Sequence, residues 1–468
     1  MTTPRNERIE QHSIDYVPVT ERHGKPWHLF TVWFSSNLQI TGFVNGALAV
    51  LIGLDLPWAI FAIIAGNLVG ALFMAYHSVQ GPRMGVPQMI QSRAQFGFVG
   101  AILPAALVVC MYLGFAIEGS VISGHALAAW AGIPFTLAVA IQVTLPAIVA
   151  IVGYRLIHFA TRVVTVVSAI LFAALTVALL GNLPGNLPSG TAVTPGNVLL
   201  VIAIYVGWQL TWAPYVSDYS RYLPEDTPSG RTFVWTYAGA ALGSIWVMVL
   251  GAVAATVSAG AVASDAIGML GDQIPGMGSL ILIALLFGTI PAAAYGNYGM
   301  FLTAISAVSE KGHGRSTPMV RTAFILATGT LIVAVTLLSG GEIQHTVLNI
   351  TLFLLNLLVP WTAINLADYY LVRQGEYEID QLFDRRGSYG LVNWPAITAY
   401  VAAMAAQVPF INSGLYTGPL VDDLGGADVS WIVGLAVATI LYLGQTKLAR
   451  RAAPPAAPAP VDAPSEVA

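Results

Sequence analysis

Long apolar runs separated by short polar stretches organise this chain. Bounded by Gly, Pro or charge, they fall near residues 29–53, 57–77, 98–130, 134–153, 158–182, 197–217, 233–258, 279–308, 320–338, 345–372, 391–411 and 427–446. Each approaches the roughly 20 residues that an α-helix needs to cross a hydrocarbon core, so the pattern predicts an all-α membrane protein with twelve transmembrane helices. A β-barrel is excluded, because these runs are continuously apolar whereas barrel strands alternate over about ten residues. Residues 1–28 are polar and mixed in charge, with no apolar signal-peptide core or cleavage site, and read as a cytoplasmic N-terminal tail. Residues 452–468 form an Ala/Pro tract expected to be disordered. The segment from Gly81 to Gly97 is too polar to cross lipid but has apolar residues at helical spacing, and is expected to lie in the cytoplasmic interface.

Composition supports a lipid environment. Of 468 residues, 56% are hydrophobic and 9% charged, against about 25% charged in soluble domains. The single Cys110 rules out an intramolecular disulfide, a Cys-ligated zinc and a Cys-bound iron–sulfur cluster. A net charge of −4 argues against nucleic acid as a partner. The positions of the charges matter more than their sum. All 19 Lys and Arg fall in the N-terminus, the even-to-odd connections and the C-terminus, while the opposite connections carry acids such as Asp55, Asp265, Asp272, Glu342, Asp422 and Asp423. The positive-inside rule then places both termini in the cytoplasm of a multi-pass cell-membrane protein. Because the side on which a charge falls did not define the spans, this segregation is an independent check on the count.

Polar groups within the spans locate the candidate chemistry. Span 1 carries Ser35, Ser36, Asn37, Gln39, Thr41, Gly42, Asn45 and Gly46, and span 6 carries Gln209, Thr211 and Pro214 flanked by Trp208 and Trp212. Irregular backbone at membrane depth survives only where protein or a water-filled cavity satisfies it. Interruptions at equivalent places in two halves mark a transporter's central site, although a lone Pro also kinks purely structural helices. Glu118 lies well inside span 3, where a carboxylate costs about 2.5 kcal/mol or more unless paired, protonated or facing water. It is a candidate proton carrier or substrate partner, or else a structural tie to a neighbouring helix. Phe115 and Gly119 share its helix face, an aromatic wall beside a small gap that core packing explains nearly as well. Asn297 in span 8 is either a recognition amide or a helix-to-helix bond. The histidines show no metal-ligand spacing, Gly81 to Gly85 lacks the context of a phosphate loop, and no hydrolase motif occurs.

Several segments together resemble the nucleobase:cation symporter family of cytosine, purine, allantoin and hydantoin permeases. They are Gly81-Pro-Arg-Met-Gly-Val-Pro87 leading to Ser92-Arg93-Ala-Gln-Phe96-Gly97, Ser217-Asp218-Tyr219-Ser220-Arg221-Tyr222, and Ala367-Asp368-Tyr369-Tyr370 ahead of Arg373. The resemblance, over about residues 25–385, implies a 5+5 inverted-repeat transporter fold with broken helices 1 and 6. Helices 1–5 (residues 29–182) and 6–10 (197–372) form the repeats, and helices 11–12 (391–446) follow. It implies that Gln39 is a substrate-contacting amide, that the helix 3 aromatic is Phe115, and that Gly119 replaces the usual amide beside Glu118. It also implies a stacking tryptophan, Trp208 or Trp212, and a base-contacting Asn297. Sodium would be held near Ser35 and Leu38 in helix 1 and Gly288, Pro291 and Ala292 in helix 8. Pro and Ala offer no side-chain oxygen, which favours a proton over sodium as the coupling cation. Arg93, Asp218, Arg221 and Asp368 are expected to serve structure or gating.

The expected function is cation-coupled import of a small planar heterocycle, with no cofactor and no enzymatic activity. An amino-acid or vitamin transporter of the same fold is the first rival; a channel would need a filter loop, and a membrane enzyme a clustered nucleophile or metal site. The topology is directly testable. Alkaline phosphatase fused after Asp272 should be active and a fluorescent protein fused at the C-terminus should fluoresce, whereas an active C-terminal phosphatase would overturn the orientation.

Overall fold

Without water in a hydrocarbon core, backbone N–H and C=O groups must find partners within the chain, and uninterrupted helices supply them. The computed structural model describes residues 15–152, 154–308, 318–339 and 343–452. In chain order the helices are α1 (Trp27–Ser36), α2 (Ile40–Leu51), α3 (Leu56–Ser78), α4 (Gln80–Met84), α5 (Gln88–Phe96), α6 (Ile102–Ala131), α7 (Phe135–Val152) and α8 (Tyr154–Gly181). They continue with α9 (Pro195–Leu210), α10 (Val216–Ser220), α11 (Ser229–Gly271), α12 (Gly278–Val308), α13 (Pro318–Leu338), α14 (Ile343–Ala367), α15 (Trp394–Gln407) and α16 (Ser430–Ala452). Among the described residues there is no β-strand, only an isolated bridge between Asn412 and Thr417. The expected N-terminal tail is described only from residue 15, and the Ala/Pro tract beyond residue 452 lies outside the described residues, as do Lys311, Arg315 and Glu342.

Among the described residues, seven helices are long and apolar enough to cross a membrane, and Ile40–Leu51, Phe135–Ile151 and Val166–Gly181 are shorter apolar helices. Of the remaining apolar runs, 279–308 forms the continuous 31-residue α12 and others are divided or short. Residues 29–53 form α1 and α2, while the 391–411 run holds the 14-residue α15. Local chemistry sets several ends. Asp55 accepts the Trp58 amide over 3.0 Å to start α3, and Thr194 accepts the Asn197 amide over 3.2 Å to start α9. Asp428 accepts the Ser430 amide over 3.0 Å and the Asn412 amide over 2.8 Å, joining the start of α16 to the preceding loop. The 43-residue α11 leaves helical geometry at Ser258 and Asp265.

Among the described residues four apolar cores hold the helices, two of them large. Trp33, Phe43, Ile63, Tyr205 and Met248 belong to one shared by α1, α2, α3, α9 and α11, while Met111, Leu354, Trp361 and Tyr442 belong to another joining α6, α14, α15 and α16. Large apolar side chains also cover the outside: Ile170 is 67% and Val177 75% exposed. That outward face suits acyl chains.

Glycines let the first core close. On α11, Gly239 and Gly243 lie against the backbone of Phe30 and Phe34, and a Cβ at Gly243 would stand 2.7 Å from the Phe34 carbonyl oxygen. Eight residues on, a side chain at Gly251 would overlap the Phe43 backbone of α2. This stripe of small residues brings α1 and α2 into backbone contact with α11.

The Gly81 to Gly97 segment is packed into the protein. All nine residues of α5 are buried. Its polar groups bond to protein rather than to lipid headgroups: Gln91 Nε2 donates to the Val86 carbonyl over 2.8 Å, and Arg93 Nη2 to the Ser306 carbonyl over 2.7 Å. Helical spacing reveals a partly apolar helix but not whether its polar face meets water or other side chains.

The glycine contacts give a stability prediction. Gly243→Val should cost about 1–3 kcal/mol through overpacking, lowering the unfolding midpoint in detergent. Gly230→Ala, with nothing within 4 Å of the added methyl, should leave it unchanged.

Candidate substrate site

The site begins where two helices stop short. α1 ends at Ser36 and α2 starts at Ile40, leaving Asn37, Leu38 and Gln39 between them, with Gln39 extended at φ −141° and ψ 156°. α9 ends at Leu210, and Ala213–Tyr215 form a tight 3-10 turn before α10. Pro214 sits in that turn, where its missing amide leaves no ladder position unfilled.

Aromatic rings collect at these interruptions. Phe115 of α6 meets Trp208 edge-on, with centroids 5.8 Å apart and planes at 90°, and Trp212 at 6.5 Å and 37°. Trp208 and Trp212 are 6.0 Å apart at 71°. Trp212 also contacts Trp33 of α1 at 5.9 Å and Tyr215 at 5.9 Å, and Tyr215 stacks on Tyr112 of α6 at 5.7 Å. One turn beyond Phe115, a Cβ at Gly119 would meet nothing within 4 Å. Phe115, Trp208 and Trp212 therefore form one cluster, and the space beside Gly119 is open one turn along α6 from it.

Glu118, fully buried on the same stretch of α6, bonds through Oε1 to Asn45 Nδ2 of α2 at 2.9 Å. Asn45 also donates to the Thr41 carbonyl over 3.1 Å and accepts from the Thr351 hydroxyl of α14 over 3.4 Å. Its own carbonyl accepts the Tyr205 hydroxyl over 3.2 Å. Glu118 Oε2 and Trp212 Nε1 are buried without a hydrogen-bond partner. One is an acceptor, or a donor when protonated; the other can only donate.

The remaining sequence-derived candidates are more scattered. Gln39 is half-buried in the α1–α2 gap, Leu38 is buried there, and Ser35 bonds back to the Val32 carbonyl over 3.1 Å. Asn297 is buried on α12, between Gly296 and Gly299, which approach Tyr112 of α6. The side chains at Gly288, Pro291 and Ala292 lie outside the described residues. No group of three or more His, Cys, Asp or Glu suited to a metal occurs among the described residues.

Arg93, Asp218, Arg221 and Asp368 lie apart from the aromatic cluster. Asp218 accepts the Gln88 amide over 2.8 Å at the start of α5, and Arg221 donates to the Asp15 carbonyl over 3.2 Å. Asp368 is a fully buried hub. It accepts from Tyr442 of α16 at 2.7 Å, Tyr377 at 2.8 Å and Gln95 of α5 at 3.3 Å, and pairs with Arg373 at 3.2 Å. Burial, then the Asp368 charge, push the Tyr377 phenol far above its ordinary range, so it remains a donor. A chain of amides continues from this hub: Asn365 donates to Gln95 over 3.2 Å, Gln80 to Asn365 over 2.7 Å, and Gln88 to Gln80 over 3.0 Å.

Sequence reasoning noted Asn37 and Asn45 only as part of a polar stretch and did not single out Trp33, Tyr112 or Tyr215. The available signal was spacing: Tyr112 precedes Phe115 by three residues and therefore shares its face.

Comparison with known proteins agrees with this architecture. A family model described as permease for cytosine/purines, uracil, thiamine and allantoin matches residues 16–434. The chain is 40% identical over 452 residues to the Bacillus subtilis protein named "Putative purine-cytosine permease YxlA", covering 95% of this chain and 98% of that one. It is 25% identical to the purine-cytosine permease fcyB of Emericella nidulans, over 93% and 88% of the two chains. Among solved structures, inward-facing Mhp1 superposes with a TM-score of 0.73 at 18% identity, covering 96% of each chain. Mhp1 closed around bromovinylhydantoin, described as a nucleobase-cation-symport-1 family transporter, gives 0.73 at 17% identity, over 95% and 97% of the two chains. An all-helical bundle with an apolar exterior and a family match over nearly its whole length thus makes this chain a member of the nucleobase:cation symporter family, an integral-membrane permease rather than an enzyme.

Proposed function

We propose that the chain imports a small planar heterocycle, such as cytosine, a purine or an allantoin- or hydantoin-like compound, by alternating access coupled to a proton. The observation that carries this reading is the cluster of Phe115, Trp208 and Trp212, with open space at Gly119 one helical turn along from Phe115, an unpartnered oxygen on the adjacent Glu118 and an unpartnered N–H on Trp212 itself. Aromatic walls favour a flat ring through offset or edge contacts. A heterocycle carrying both N–H and C=O groups can answer a buried acceptor and a buried donor together. An aliphatic amino acid offers no face for these walls, and no Lys or Arg stands among them for its carboxylate.

In this mechanism Trp208 and Phe115 hold the ring, while Trp212, Gln39 and Asn297 read its polar edge. Glu118 takes up the coupling proton: with Asn45 on Oε1, its Oε2 is the place where a proton or a substrate donor binds. Ligand and proton must change the relative stability of the outward- and inward-open states for transport to be coupled. The bundle is read as twelve spans with both termini cytoplasmic, the repeats at 29–182 and 197–372 rocking about the two interrupted helices. Support comes from the similar solved structure holding a hydantoin derivative and from Pro291 and Ala292, which offer no side-chain oxygen where the family resemblance implies sodium-binding hydroxyls. Sodium held by the carbonyls near Ser35 and Leu38 is the competing arrangement.

Uptake into proteoliposomes tests substrate and cation together. Labelled cytosine, hypoxanthine, allantoin and a hydantoin, with leucine as control, should show saturable uptake of at least one ring, driven by an inward proton gradient without sodium. Leucine uptake alone would sink the heterocycle reading, and strict sodium dependence would sink proton coupling. For the carried ring, Glu118→Gln should remove the response to the proton gradient while retaining exchange of internal for external substrate. Intact pH-driven accumulation in Glu118→Gln would assign the carboxylate to structure.

A further inference from the structure

The ring of Trp208 is fixed from outside the aromatic cluster. Its Nε1 donates to Asn37 Oδ1 over 2.9 Å, and both residues are buried. An indole N–H only donates, so the Asn37 atom facing it must be the amide oxygen. The Asn37 Nδ2 is then left to donate to the Trp33 carbonyl over 2.8 Å. The second lone pair of Oδ1 takes the Ser244 hydroxyl over 2.6 Å, and Ser244, its proton committed, accepts from Gln209 Nε2 over 2.9 Å. Asn37 is also the first residue of the α1–α2 gap. Beside that N–H, a Cβ at Gly42 would just touch Trp208 Cζ2 at 3.5 Å. The indole is thus held at its N–H, flanked there by α2, and also meets Phe115 edge-on.

We propose that Asn37 is a specificity-determining positioning residue that fixes the tilt of the Trp208 ring and so sets the slot a planar substrate enters. Because Asn37 lies in the gap, any displacement of that gap is transmitted to the ring through one hydrogen bond. This rests on the reading above that Trp208 stacks on substrate. A purely structural Asn37 would instead affect folding and the amount of working transporter, without changing the affinity of each copy.

The test uses the full chain in proteoliposomes with labelled cytosine, hypoxanthine and a hydantoin. Asn37→Leu should raise KM for the carried ring about ten-fold, as expected for an indole N–H left without its acceptor, while Vmax per folded transporter stays within about two-fold. Asn37→Asp, which keeps the acceptor oxygens, should stay within about three-fold of the native KM. In a Trp208→Phe background, which has no N–H, adding Asn37→Leu should change KM by less than about two-fold. An Asn37→Leu variant that lowers Vmax at unchanged KM, or acts equally in both backgrounds, would overturn the proposal. Should Asn37→Leu not fold, a native KM in Trp208→Phe would overturn it as well. The underlying reading is judged separately by Trp208→Leu: an unchanged KM there sinks the stacking role, whereas a raised KM with a silent Asn37→Leu sinks only the positioning role. Transport of none of the three rings would sink both.

Discussion

One hydrogen bond sets the direction of a buried polar chain through the first core. The Trp208 indole must donate, so Asn37 must accept, Ser244 must donate to the same oxygen, and Gln209 must offer its NH2 to Ser244 and to Asn67 Oδ1, 2.8 Å away. Asn67, its oxygen occupied, turns its own NH2 to the Ile63 carbonyl at 2.9 Å. In a low-dielectric interior an unpaired polar group is costly, so these orientations support one another. The residue left over is informative. Gln209 Oε1 has no partner, because the chain has consumed the amide's donors and offers nothing back.

This chain depends on backbones being close enough to share it. The Gly239, Gly243 and Gly251 stripe of α11 admits α1 and α2 to backbone contact, which places Ser244 within reach of Asn37. Small residues on one helix and amides on its neighbour therefore act together. With lipid as apolar as the core, burial alone does not drive helix association; close packing and interhelical bonds must. The lone carboxylate follows the same rule, since Glu118 joins α6 to α2 through Asn45 and only one of its oxygens remains free.

Much of this was legible in the sequence because lipid makes a strict grammar. Long apolar runs and the polar interruptions in the first and sixth of them mark the gap at Asn37 to Gln39 and the 3-10 turn at Ala213–Tyr215. Phe115, Trp208 and Trp212 were named from residue type, and the fold brings their rings together. What remained hidden was partnership. Nothing in the order of residues pairs Asn45 with Glu118, 73 positions away, or Trp208 with Asn37, 171 positions away. The burial of α5 stayed hidden for a related reason: its polar side chains look solvated until the helices that surround them are known. The span count was blurred where α1 and α2 divide one apolar run and α15 shortens another.

The Asp368 hub carries a consequence for biogenesis. Its four partners are synthesised at very different times: Gln95 long before it, Arg373 and Tyr377 just after it, and Tyr442 much later, in α16. Chains emerge N-terminus first, so the carboxylate enters the bundle with its set of donors incomplete. Only insertion of α16 supplies the Tyr442 hydroxyl. Insertion of α16 therefore completes the donor set around a carboxylate carried by the tenth apolar run, and a nascent chain halted before it holds Asp368 with Gln95, Arg373 and Tyr377 alone of these four partners.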